Sequence, residues 1–194
     1  MKNHFLTFIF SLLTLCSYAQ TENPHLTFKG VPIDGTLNQF VQKMRLKGFT
    51  SMGTQDGITL LEGDFAGYKG CIVGVSTLDK KDLVNMIVVM FPELNTWSSL
   101  YGNYSTLKEL LTEKYGRPSD VIEKFEGYSE PRNDNSRMHE VKMDRCKYIS
   151  VFETSKGTIE LQIAHGELLN CFIVLRYLDK INGNEIRQQA LDDL

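Results

Sequence analysis

One thiol and one imidazole lie close together in this sequence, with Gly166-Glu167 between His165 and Cys171. A cysteine hydrolase needs such a pair, with the imidazole drawing the thiol proton and a carboxylate orienting the ring. Cys171 also opens the apolar run Cys171-Phe172-Ile173-Val174, where a thiolate is costly. The structural reading of this pair is therefore a core cysteine beside a turn histidine, and hydrolysis is kept as the last of three functional readings. A second group, Asp134, His139, Glu140 and Asp144, carries oxygen and nitrogen ligands suited to a cation. Its spacing matches no calcium or zinc motif, so a solvated loop explains it better. Glu62 and Asp64 flank Gly63 as a carboxylate pair that a strand-end turn accounts for. No glycine-rich phosphate cradle precedes a helix. These patterns imply no catalytic residue, no metal site and no cofactor.

The aromatic residues are the stronger binding candidates. Trp97, Tyr101 and Tyr104 share one helical pattern, with Tyr115 near its end. Such a stripe normally covers a sheet. Aromatic side chains that spill onto the surface also anchor protein interfaces.

Periodicity supplies the elements that would position these groups. Thr36 and Gln39 form a T-x-x-Q capping box. Leu37, Phe40, Val41 and Met44 then make one apolar stripe, and Gly48 marks the stop. Strands are expected over 58–62, 70–77 and 83–91. In the last of these both alternating sets are apolar, which predicts a central strand covered on both faces. A second helix runs from Thr96 to Tyr115, with Gly102 as an expected interruption and Gly116-Arg117-Pro118 as its end. Strands follow at 121–125, 147–153, 158–164 and 169–178. The polar stretch 126–145 reads as a loop and Asn182-Gly183-Asn184 as a turn. Ile159, Leu161 and Ile163 alternate with Glu160 and Gln162, so that strand has one wet face.

Composition narrows the classes. The chain has 194 residues, a net charge of −3 and 42% hydrophobic residues, enough for a core. It carries no basic excess of the kind nucleic-acid binding requires. Lys2, the apolar run Phe5 to Leu15 and Ser17-Tyr18-Ala19 read as a cleavable signal peptide, cut after Ala19. No later run is long enough for a transmembrane span. The location expected is periplasmic or secreted. Lipidation at Cys16 is the weaker alternative, because bulky Leu15 precedes it. Of the remaining cysteines, Cys71, Cys146 and Cys171, an odd number, two readings stand: small buried hydrophobes, or a Cys146–Cys171 bridge with Cys71 left over.

The same order of patterns occurs twice. Lys69-Gly70-Cys71-Ile72 is echoed by Lys156-Gly157-Thr158-Ile159, and Leu83-Val84-Asn85-Met86 by Leu168-Leu169-Asn170-Cys171. The expectation is an α+β protein of two tandem helix-plus-antiparallel-meander units, with helices packed on antiparallel sheet. The signal peptide occupies 1–19 and the first αβββ unit 20–94. The second unit occupies 95–194, with a polar insertion at 126–145 and a short C-terminal helix. With the Gly35-Thr36-Leu37 helix start and the Tyr115-Gly116-Arg117-Pro118 helix end, this organisation resembles the outer-membrane assembly lipoprotein BamE and the beta-lactamase-inhibitor protein. The Ala19-Gln20 junction resembles those of exported Bacteroidetes proteins. The resemblance implies a protein-binding or envelope-associated role, with another envelope or secreted protein as partner, and it carries over no catalytic residue. A small-ligand carrier, with Tyr101 and Tyr104 lining a pocket between helix and sheet, is the second reading.

Overall fold

A computed structural model of the chain describes residues 23–192, apart from 56, 79–80 and 128–129. The expected signal peptide over 1–19 and its cut lie outside the described residues. The first element among the described residues is a small hairpin, β1 (Thr27–Phe28) against β2 (Val31–Pro32). Leu26, Phe28, Val31 and Ile33 are all buried, so this segment seals one end of the core.

Helix α1 (Leu37–Leu46) starts as its capping box dictates: Thr36 accepts from the Gln39 amide, and the Gln39 side chain reaches back to Thr36. Phe40, Val41 and Met44 form its buried stripe. Four strands follow: β3 (Thr50–Gln55), β4 (Ile58–Phe65), β5 (Tyr68–Leu78) and β6 (Lys81–Met90). Helix α2 (Trp97–Tyr115) is capped by Thr96 and ends at Gly116, whose φ of 89° suits glycine. It runs unbroken through Gly102, where an interruption was expected. Then come β7 (Asp120–Phe125), α3 (Asp134–Lys142), β8 (Cys146–Thr154), β9 (Gly157–His165), β10 (Cys171–Asp179) and α4 (Lys180–Asp192). No helix among the described residues is long and apolar enough to cross a membrane.

The protein is α+β, with helices on a single eight-stranded antiparallel sheet ordered β3-β4-β5-β6-β10-β9-β8-β7. Phe40 and Met44 of α1 and Leu100, Tyr104, Leu107 and Leu111 of α2 join one continuous core with Val73, Ile87, Leu161, Ile173 and Leu175 of the sheet.

The structure departs from the sequence expectations at several points. β3 is a strand where none was expected, so α1 is followed by four strands. The 126–145 stretch contains α3, started by a reciprocal cap between Asn133 and Ser136 and anchored by buried Met138 and Val141. Asn182-Gly183-Asn184 lies inside α4 rather than in a turn, because the buried Asn182 side chain donates to the Ile33 and Val84 carbonyls. β6 is central, but only its Val84, Ile87 and Val89 side is fully buried; Met86, Val88 and Met90 on its other side remain half-buried. Cys71, Cys146 and Cys171 are all free and buried, so the Cys146–Cys171 bridge is not formed.

Candidate binding face

Cross-strand partners in an antiparallel ladder point to the same side of the sheet. The registers therefore define the residues on the side away from the core. One row crosses six strands: Ile72, Met90, Val174, Gln162, Ile149 and Ile122. The next row holds Leu60, Gly74, Val88, Arg176, Glu160 and Val151. Most of these residues are half-buried, and none joins the core cluster. Val174, at the centre, is only 4% exposed, yet it too stands outside that cluster.

A depression of about 430 Å³ lies here, bounded by Val88, Met90, Ile149, Ala164, Phe172 and Val174, with Gln162 and Arg176 among its polar groups. Arg176 is held in place. Its Nη1 donates to Glu160 Oε1 at 2.6 Å, and with the Gln162 amide oxygen turned inward both guanidinium nitrogens reach it at 2.7 and 2.8 Å. An arginine fixed by two neighbours loses little side-chain freedom when a ligand adds a further contact. Asp144 and Lys147, 3.0 Å apart, and His165 border the same depression at the end of the strands.

The three aromatic candidates from the sequence lie on α2 and form one cluster. Trp97 stacks on Tyr101 with ring centroids 5.7 Å apart, and Tyr148 meets Trp97, Tyr101 and Tyr104 edge-on. Trp97 and Tyr104 are buried, whereas Tyr101 is 42% exposed. Tyr104 fills the space between helix and sheet: it is fully buried and its hydroxyl lies 2.6 Å from Ser150 Oγ. Burial pushes the Tyr104 phenol well above its ordinary range. A narrower crevice of about 160 Å³ does open between α2 and the sheet, but Phe65, Leu107, Leu110, Leu111, Leu175 and Tyr177 line it.

The remaining candidates have structural partners. His165 and Cys171 are cross-strand neighbours, so the structure brings them together. Burial raises the Cys171 thiol above its ordinary value, opposite to what a nucleophile needs, and His165 Nδ1 lies 3.1 Å from the Gly166 carbonyl. Asp134 closes the α2 N-terminus, accepting from the Trp97 and Ser98 amides at 2.8 Å and from the Ser98 hydroxyl at 2.7 Å. Those bonds, led by the Ser98 hydroxyl, hold its carboxyl below the usual range. Glu140 takes a two-pronged contact from Arg145, at 2.7 and 2.8 Å, which lowers it likewise. Asp64 accepts from the Gly70 amide within its turn. Among the described residues no three His, Cys, Asp or Glu side chains are arranged to hold a metal ion.

The open face escaped the search for reactive residues because its components are ordinary strand residues. The signal available for it was the doubly apolar pattern of 83–91, which predicted burial on both sides. No known protein-family model, curated protein or solved structure matches the chain.

Proposed function

We propose that this is an exported, non-enzymatic binding protein of the cell envelope, and that it engages another envelope or secreted protein through the uncovered side of its sheet. The observation that carries this reading is the apolar row through Met90 and Val174, bordered by the fixed Arg176, on the side of the sheet outside the core cluster, with Val141 of α3 at the margin of its depression. Arginine is enriched among interface hot spots, and methionine and arginine are both enriched across interfaces. The leader-like sequence at 1–19 and the resemblance of the helix boundaries to BamE and the beta-lactamase-inhibitor protein support the same reading.

Affinity capture from an envelope extract tests it. Purified protein should retain a discrete partner, and Met90→Glu or Arg176→Ala should reduce capture roughly tenfold, as expected for a hot-spot loss of about 1.4 kcal/mol. Tyr101→Ala, on the helical side, should leave capture unchanged. A turnover activity abolished by one polar substitution would overturn the reading. So would capture indifferent to both face variants.

The carrier reading rests on the crevice beside Leu107 and Tyr177. At about 160 Å³ it is smaller than the several hundred Å³ typical of ligand pockets, so a short alkyl group is the largest occupant it suits.

A further inference from the structure

The two edges of the sheet are built differently. β7, one outermost strand, carries Asp120, Glu123 and Lys124, charges of the kind that discourage strand addition. β3, the other, reads Thr-Ser-Met-Gly-Thr-Gln, with no charge and no proline. All of its residues except Ser51 are exposed. Its inner side pairs with β4, leaving the backbone groups of its outer side unpaired by any other strand among the described residues. A shift in pairing between Ser51 and Gly53 bends the strand, and regular pairing continues through Gly53–Gln55.

The charges beside this edge favour one kind of partner. α1 leads into β3 and carries Lys43 and Arg45, with Lys47 as its C-terminal cap; all three are exposed, and the helix has no acidic residue. Lys29 lies 5.6 Å over the ring of Phe49, the residue before β3. The nearby acids are Glu62, the partner of Thr50, and Asp64, already accepting from Gly70; Asp56 follows Gln55 in sequence, outside the described residues. Two copies pairing β3 to β3 about a twofold axis would bring two cationic α1 helices toward each other, which like-charge repulsion opposes. An acidic strand meets Glu62 and Asp64, but these two are outnumbered by Lys29, Lys43, Arg45 and Lys47.

We propose that β3 is a docking edge that takes up an extended acidic polypeptide segment as a ninth strand, with the α1 cations selecting for its charge. Main-chain bonds would supply the attachment and alternate side chains the specificity, as in other strand-addition interfaces.

Two capped peptides, acetyl-(Glu-Val)4-amide and acetyl-(Lys-Val)4-amide, test this on the purified protein. The acidic peptide should bind roughly tenfold or more tightly than the basic one, the sum of a few exposed charge contacts. It should also slow amide exchange at residues 50–55. N-methylation of every second valine in the peptide should abolish binding without altering the protein. The double substitution Lys43→Glu with Lys47→Glu should erase the charge preference while leaving the far-UV circular dichroism unchanged. Equal binding of the two peptides, no binding at millimolar concentration, or slowed exchange at β7 or the open face instead would each overturn the proposal. Self-association that protects 50–55 without peptide would assign the edge to a second copy and overturn it too.

Discussion

Asp179 Oδ1 lies 3.0 Å from His25 Nδ1, although 154 positions separate the two residues. The Asp179 side chain is wholly buried at the end of β10. Its other oxygen accepts from the Leu26 amide at 2.8 Å, and Oδ1 also accepts from the Asn182 amide at 3.0 Å. One carboxylate thus joins the first hairpin, the last strand and the last helix. Asp179→Ala should lower unfolding stability by about 3 kcal/mol, since it leaves buried donors without an acceptor. Urea denaturation measures this. A loss below about 1 kcal/mol would mean that water satisfies those donors equally well.

Gly157 is the cross-strand partner of Asp179 and has a φ of 151°. A Cβ there would overlap the Leu178 carbonyl and press on the Leu26 side chain. Gly157→Ala should therefore destabilise the protein by about 2 kcal/mol or more. Gly183→Ala, with open space around its Cβ position inside α4, should be neutral or stabilising. Thermal melts of the two variants should move in opposite directions or differ clearly in size.

The three core thiols are protected by burial. Desolvation pushes Cys146 up to about 12 and raises Cys71 and Cys171 as well. At pH 8 native protein should resist iodoacetamide at all three, whereas denatured protein should react at each. Mass spectrometry after a short exposure reads the difference. Rapid native alkylation of Cys171 would reopen the hydrolase reading.

Asp134 and Glu140 are held below the ordinary carboxylate range in the folded protein, the first chiefly by the Ser98 hydroxyl and the second chiefly by Arg145. Their contribution to stability is present above the unfolded carboxylate values of about 4 and is lost as pH falls through the lower folded values. The melting temperature should therefore fall on acidification below about pH 4. In Asp134→Asn that decline should be shallower, with a lower starting point at neutral pH. Parallel acid titrations would refute the assignment.

The helices were legible in the sequence where capping and periodicity agreed. Thr36 and Gln39 announced α1, and Gly116 ended α2 as expected. β3 escaped because Met52 is its one apolar side chain, so no alternation marks it, and pairing with β4 makes it a strand. α3 escaped because its polar composition hides the two buried anchors, Met138 and Val141. The Asn182-Gly183 pair resembles a turn by composition, yet tertiary acceptors on Ile33 and Val84 draw Asn182 into the interior. Among the binding candidates, helical spacing correctly grouped Trp97, Tyr101 and Tyr104. It could not tell which of them would reach solvent, since that depends on Tyr148, which lies on a distant strand. The open face was hidden for the opposite reason: Val88 and Met90 look like core residues in a linear pattern, and packing of α1 and α2 against the other side of the sheet leaves them half-buried outside the core.

The seam between β6 and β10 pairs Met86–Met90 with Val174–Leu178. As the chain is synthesised, Ile87, Val88 and Val89 wait with one ladder edge vacant until β10 emerges. A nascent or truncated chain ending before Cys171 would present that sticky middle strand to its neighbours. Folding of this sheet is therefore most exposed to aggregation in the interval between synthesis of β6 and of β10, and a holding chaperone would matter most then.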